Sequence, residues 1–214
     1  MMTNTLSGVG MCWAFLSVTA SVLCCSGYYL PYWIQGRLFG RADTYFGPFR
    51  RCNYPKVNSL GLIDIIYECG RYSKFSDIPS IWWQCTTILV GLGCALTLLV
   101  AITATSACCF SHIIQNSTAK AAGVLQLIAA LLVCGGGAVY PVGWDNRELK
   151  QSCGNSSAVY KLGTCQLSWS VYLLGSAVAL LLLCFALSFC SAREPSEHPS
   201  FRMSPYPDGI ASVT

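Results

Sequence analysis

Residues 45–52 read YFGPFRRC, and residues 68–72 read ECGRY. Both segments lie between Trp33 and Ser80, in the longest polar island of a chain that is otherwise dominated by apolar runs. This first loop carries seven of the thirteen basic residues and four of the nine acidic ones. We therefore expect the first loop to carry whatever recognition the protein performs.

The composition is typical of a membrane protein, because 54% of the residues are hydrophobic and only 10% are charged. No Asp, Glu, Lys or Arg occurs within residues 1–36, 78–119, 121–144 or 162–192. Each gap exceeds the roughly 20 residues with which a helix crosses a bilayer. Uncharged runs of this length predict helices, because a helix satisfies its backbone hydrogen bonds internally.

We predict one four-helix domain over residues 1–192, and its helices span about residues 8–32, 81–110, 121–144 and 167–190. The first run is expected to be a retained helix rather than a secretory signal, because no basic residue precedes Arg37. The two polar loops are residues 33–80 and 145–166. Residues 193–214 are proline-rich and poor in apolar residues, which predicts a disordered cytosolic tail.

The first loop is expected to fold as a small antiparallel sheet. Residues 45–49 and 62–67 have strand character, and Pro55 and Gly61 interrupt the polar segment between them.

The topology depends on two signals that disagree. The two loops hold ten of the Lys and Arg residues, which by the positive-inside rule would place the loops in the cytosol. Each loop also holds one cysteine pair, and disulfides persist only in oxidising compartments. The charge rule applies best to short loops, so we expect extracellular loops, two cytosolic termini and a plasma-membrane location.

Two sequons test this topology, because they lie on opposite sides of the membrane. Asn116 lies in the link between the second and third helices, and Asn155 lies in the second loop. Extracellular loops make Asn155 the candidate N-glycosylation site.

The fourteen cysteines divide by position. We predict two structural disulfides, Cys52 with Cys69 and Cys153 with Cys165, each of which constrains the unfolded chain by about 3 kcal/mol. Candidate S-acylation sites lie at the cytosolic helix ends, where the alternative is simple packing: Cys108, Cys109 and Cys190.

Metal, redox, cofactor and nucleic-acid functions are not expected. The chain has no Cys-x-x-Cys motif, and its two histidines lie in the predicted cytosolic segments. The net charge of +4 is spread over the loops. No nucleophile and base or phosphate-binding loop can be assembled on one side of the membrane, so we do not expect an enzyme.

The spacing of Trp33, Gly47, Phe49, Cys52 and Cys69 resembles the first-loop signature of the claudin superfamily. The chain departs from claudins proper, because Pro48 and Phe49 replace Leu-Trp and a second cysteine pair occurs in the second loop.

These departures resemble the lipoma HMGIC fusion partner-like (LHFPL) branch of tetraspan proteins over about residues 10–190. The matching pieces are FRRCNYP (49–55), ECGRY (68–72), IPS (78–80), YPxGW (140–144), CG (153–154) and LGxC (162–165). The structural signature residues are Trp33, Gly47, Phe49, Arg71 and Trp144.

This resemblance implies a left-handed four-helix bundle that carries an extracellular antiparallel sheet, built mostly from the first loop with a contribution from the second. It also implies a role without catalysis, as an auxiliary subunit of a channel, receptor or adhesion complex in the lipid bilayer. The expected partners are other integral membrane proteins, bound through helix faces and the first loop, with a homo-oligomer as a further candidate.

The alternative is a claudin-like barrier or paracellular pore, in which the charge of the first loop selects ions. That loop has a net charge of +3, from seven basic and four acidic residues, and would favour anions if it lined a pore.

Overall fold

The computed structural model describes residues 8–38, 40, 42–57, 62–109 and 116–190. Within these residues, the following helices form a bundle, and each is long and apolar enough to span a membrane: α1 (Gly8–Tyr29), α2 (Ile81–Cys109), α3 (Asn116–Val139) and α5 (Trp169–Cys190). The helix α1 packs against α2 and α5, and α3 packs against the same two neighbours. A short helix, α4 (Arg147–Cys153), follows α3 in the chain.

One antiparallel sheet lies beside the bundle. Its strands are β1 (Ile34–Leu38), β2 (Ala42–Phe46), β3 (Arg50–Val57), β4 (Ile63–Arg71) and β5 (Gln166–Leu167). Their order in the sheet is β4-β3-β2-β1-β5, so the second loop adds the last strand to a sheet made by the first loop. We call the described parts of residues 30–80 and 140–168 the head. The four-helix bundle with a small sheet is therefore confirmed.

The sheet turns one face towards the core. Alternate residues of β1 are buried, which is the period of two expected for a strand with one covered face. In the register, Ile34 lies opposite Phe46 in β2 and opposite Leu167 in β5. Both Ile34 and Phe46 are buried in the main hydrophobic cluster.

The first helix ends earlier than predicted, and the reason is proline. It ends at Tyr29 rather than residue 32, because Pro31 has no backbone N–H to continue the helix and disfavours helical geometry in the residue before it.

The third and fourth spans also differ from the predicted boundaries. The helix α3 begins at Asn116, because Lys120 is exposed and can extend its ammonium towards the interface from within the first turns. It ends at Val139, and residues Tyr140–Trp144 form a 3-10 turn that contains Pro141. The last helix begins at Trp169 because the two residues before Ser168 belong to β5.

The predicted strand over residues 45–49 is wrong in its second half. The strand β2 stops at Phe46, and Gly47–Phe49 form the turn into β3. Sequence patterns also missed β1, β3 and α4, whereas the predicted strand over residues 62–67 lies mostly within β4. A second 3-10 turn, Phe75–Asp77, leads from β4 towards α2.

Small residues bring the helices together. Ala20 and Ala129 are fully buried around Leu181 in the middle of the bundle. Gly136 lies against α2, and a Cβ there would stand 2.5 Å from Cγ2 of Val90. Close approach at small residues is the usual basis of helix packing in lipid, where burial of apolar surface offers little gain.

Candidate functional site

An aromatic cluster joins the head to the bundle. The indole of Trp33 is 1% exposed, and its Nε1 donates a hydrogen bond of 2.8 Å to the carbonyl of Gly27 in α1. Its ring meets Tyr140 edge to face at 4.8 Å, and Tyr140 stacks on Trp83 of α2 at 5.1 Å. The Tyr140 hydroxyl donates to the carbonyl of Phe46, 3.3 Å away. Each ring pair contributes about 0.5–1.5 kcal/mol beyond its buried area, so the cluster fixes the head on the helices.

Trp144 lies at the edge of this cluster. Its ring meets Tyr140 nearly perpendicularly at 6.4 Å, and the side chain is buried. Gly143 beside it allows the turn to approach α2, because a Cβ there would stand 2.5 Å from Cδ1 of Trp83. The second signature tryptophan therefore packs where the second loop begins.

Gly47 and Phe49 form the tight turn between β2 and β3. The Gly47 N–H donates to the carbonyl of Arg50 at 2.8 Å, and a Cβ on Gly47 would stand 3.1 Å from the Cα of Pro31. Phe49 packs its ring against Tyr28 at the end of α1, with the centroids 4.8 Å apart. The turn thus lies directly on the carboxyl end of the first helix.

The structure joins the cysteines in the two pairs that the sequence predicts. Cys52 and Cys69 face each other across β3 and β4. The second bond links Cys153, the last residue of α4, to Cys165 beside β5. The second disulfide lies within the main hydrophobic cluster, beside Leu149 and Ile34.

A partly buried ion pair links the two loops. Arg51 of β3 pairs with Glu148 of α4, and their side chains are 23% and 24% exposed. The hydroxyl of Tyr72 donates a 2.8 Å hydrogen bond to the other oxygen of Glu148. The guanidinium also lies 4.7 Å from the centre of the Tyr72 ring. Burial, followed by the charge of Glu148, raises the pKa of Tyr72, so this hydroxyl stays a hydrogen-bond donor.

No pattern in the sequence predicts this ion pair. Arg51 and Glu148 are 97 positions apart, and α4 was not predicted. The available signal was one of five arginines in the first loop and one glutamate in the second, and these specify no contact.

Two further cations of the first loop have partners close by in the sheet or in α1. Arg37 lies 3.4 Å from Asp43 across the β1–β2 pair. The guanidinium of Arg50 lies 4.3 Å from the ring centre of Tyr29 at the end of α1. The signature residue Arg71 is exposed and lies opposite Arg50 in the strand register.

A polar network inside the bundle was also missed. Gln126 of α3 is 1% exposed; it accepts a 3.2 Å hydrogen bond from Trp13 Nε1 and donates one of 2.8 Å to Ser17 Oγ. Ser17 in turn donates to the carbonyl of Trp13. The network joins α1 to α3, and such bonds contribute about 0.6–2 kcal/mol each in a membrane.

A groove of about 300 Å³ opens between α3 and α5 next to the head. Its walls are almost entirely apolar, and they include three small residues on the outside of the bundle: Cys134, Gly137 and Gly175. A Cβ on either glycine would meet no atom within 4 Å. Internal packing therefore explains Gly136, but it does not explain the glycines that line the groove.

The candidate modification sites lie at opposite ends of the molecule. Asn155 is exposed in a turn just after α4, and the hydroxyl of Ser157 in the same sequon donates to the carbonyl of Trp144. Cys108 and Cys109 end α2, and Cys190 ends α5, but their side chains lie outside the described part of the structure. Residues 193–214, the predicted tail, also lie outside it. Among the described residues, no group of three or more His, Cys, Asp or Glu side chains can hold a metal ion.

Comparison with known proteins agrees with this architecture. Residues 9–193 match the family model described as lipoma HMGIC fusion partner-like protein. The chain is 30% identical over 201 residues to the LHFPL tetraspan subfamily member 2a protein of Danio rerio. The aligned region covers 86% of this chain and 85% of that relative. It is 31% identical over 185 residues to the LHFPL tetraspan subfamily member 4 protein of Homo sapiens, with 85% and 69% covered. The matched region includes all four long helices and both loops.

Proposed function

Because this chain belongs to the LHFPL tetraspan family of multi-pass membrane proteins, we propose that it is a non-catalytic auxiliary subunit that binds and stabilises other integral membrane proteins. The observation that carries this proposal is the groove between α3 and α5. Its exposed glycines, Gly137 and Gly175, have room for a neighbouring helix, and small residues are the positions at which membrane helices approach most closely.

The test uses leucine substitutions that fill the groove from within. Gly137→Leu and Gly175→Leu point into open space, so the variants should fold like the wild type and yet exclude a partner helix. Gly135→Leu is the matched control, because Gly135 has equally open space but does not line the groove. The full chain is expressed in its native cells, cross-linked, and purified in mild detergent.

The expected result is a specific set of membrane proteins that is lost from both groove variants and kept by the control. Failure to capture a stable partner, or equal capture by all three variants, would contradict the proposal. Two differently tagged copies of this chain, expressed together, report whether a second copy is among the partners.

The head is proposed to be extracellular, with both termini cytosolic and the chain at the plasma membrane. The support is chemical, because both disulfides lie in the head and such bonds persist in oxidising compartments. Glycosidase-sensitive sugar on Asn155 and none on Asn116 is the expected outcome. Sugar on Asn116 alone would reverse the topology.

The claudin-like barrier draws less support from the contacts of the first loop. Arg37 and Arg51 have carboxylate partners, and Arg50 lies over an aromatic ring. A pore that selects anions needs unpaired cations along its lining. Transepithelial resistance in cells without claudins should therefore remain unchanged when this chain is expressed.

A further inference from the structure

A cleft of about 290 Å³ lies in the head between α4 and the strands β3 and β4. The helix side of the cleft is polar and includes Arg147, Glu148 and Ser152, which fall on one face of α4. The strand side includes Tyr54 and Pro55. This volume is at the lower end of the range for ligand pockets, so it suits one or two side chains rather than a folded domain.

A β-bulge shapes the strand side of the cleft. The register between β3 and β4 shifts between Cys52 and Tyr54, and Asn53 there has a left-handed φ of 57°. Its side-chain amide donates a 2.6 Å hydrogen bond to the carbonyl of Asp43. In a regular strand, residues 51 and 54 would face opposite sides, but here the Arg51 guanidinium lies 4.3 Å from the Tyr54 ring centre. The bulge therefore brings a cation and an aromatic ring to the same wall.

The charges of the cleft leave one cation uncompensated. Arg51 and Glu148 neutralise each other as an ion pair. Arg147 is exposed and has no ion-pair partner among the side chains that the structure describes. Ser152 is 5% exposed, and its hydroxyl makes no hydrogen bond. Buried hydroxyls normally have partners, so this one is a donor or acceptor that the folded chain leaves unused.

We infer that this cleft binds an acidic side chain of a partner protein, with an apolar neighbour of that side chain against Tyr54 and Pro55. A carboxylate matches the single excess cation of Arg147 and the unused hydroxyl of Ser152. A sulfated polysaccharide would require several free cations, which the described lining does not provide. The inference rests on the proposed auxiliary function and assigns its head-side contact to acidic peptide segments.

The test measures binding of small probes to the full chain in nanodiscs by saturation-transfer NMR. The probes are acetyl-Glu-Leu-amide, its neutral counterpart acetyl-Gln-Leu-amide, and N-acetylneuraminic acid as a carboxylate from glycans. The acidic peptide should bind roughly tenfold more tightly than the neutral one, because a charge-assisted hydrogen bond is lost in the latter.

Two variants and one control make the test specific to the cleft. Arg147→Gln should lower the affinity for the acidic peptide roughly tenfold. Lys161→Gln, an equal charge change at an exposed position outside the cleft, should leave that affinity unchanged. Ser152→Ala should also lower the affinity for the acidic peptide. It should not lower the melting temperature, because the hydroxyl makes no hydrogen bond within the folded chain.

Three outcomes would overturn the inference: equal binding of the two peptides, an unchanged affinity in Arg147→Gln, or binding of N-acetylneuraminic acid alone. The proposed function is tested separately. Capture of membrane partners that depends on the α3–α5 groove would stand even if no peptide bound to the head.

Discussion

Replacement of Glu148 by glutamine should destabilise the protein, because it removes the negative charge of the carboxylate. That carboxylate forms an ion pair with Arg51 and accepts a hydrogen bond from the Tyr72 hydroxyl. Glutamine keeps the shape and can still accept a hydrogen bond. Hydrogen bonds to a charged group contribute about 1.5–3 kcal/mol and neutral ones about 0.5–1.5 kcal/mol, so the Tyr72 bond loses about 1 kcal/mol when its acceptor becomes neutral. Loss of the charge opposite the Arg51 guanidinium adds a similar amount, for about 2 kcal/mol together. Both ion-pair side chains are only about a quarter exposed, so solvent screens little of this loss.

For a chain of this size, about 2 kcal/mol lowers the melting temperature by roughly 4–8 °C. The assay is thermal unfolding in detergent, followed by tryptophan fluorescence, which the aromatic cluster around Trp33 and Trp83 makes sensitive to the head. The control is Glu68→Gln, an equal charge change on an exposed residue of β4.

A double-mutant cycle with Tyr72→Phe completes the experiment. Because Tyr72 and Glu148 share a hydrogen bond, the two destabilisations should be less than additive. Equal melting temperatures for Glu148→Gln and Glu68→Gln would refute the reasoning. Strict additivity with Tyr72→Phe would show that the hydroxyl and the carboxylate act independently.

Three further predictions concern the Tyr72 hydroxyl, the close packing at Gly136 and the second disulfide. Burial and Glu148 raise the folded-state pKa of Tyr72 above its ordinary value of 10, so above pH 10 the unfolded chain loses this proton first. The free energy of unfolding of the wild type should therefore fall with rising pH, by up to about 1.4 kcal/mol per pH unit more than that of Tyr72→Phe. Denaturation at pH 9–12 measures this difference. Gly136→Leu should lower the melting temperature by several degrees, since its side chain would collide with Val90, whereas Gly135→Leu should leave that temperature unchanged. Cys153→Ser should cost about 3 kcal/mol and remove about half of the effect of reductant on thermal unfolding, because the bond between Cys52 and Cys69 can still be reduced; if reductant destabilises the variant as much as the wild type, the second disulfide contributes little.

The features that could be predicted are those that depend on short stretches of chain. The four spans follow from uncharged runs, because a polar backbone in lipid must satisfy its own hydrogen bonds. The two cysteine pairs follow from their placement within single loops. Trp33 and Gly47 were identified through a family signature, and the structure gives them physical roles as the buried anchor and the close turn.

The parts that escaped prediction join residues that are distant in the chain. The ion pair between Arg51 and Glu148 and the hydrogen bonds of Gln126 with α1 depend on elements whose relative placement no local pattern specifies. The bulge at Asn53 is missed for a similar reason, since pairing with β4 creates it.

Amino-acid composition and the length of the apolar runs decide that this chain is a four-span membrane protein, because solvation by lipid acts on each segment separately. The placement of one cysteine pair in each loop adds the two disulfides. Only the tertiary structure decides where the proposed recognition surfaces lie. The groove between α3 and α5 and the cleft beside Arg147 are each lined by residues that are far apart in the sequence, so no local pattern predicts them. Their shapes and charges arise when side chains from both loops and from separate helices are brought together by packing.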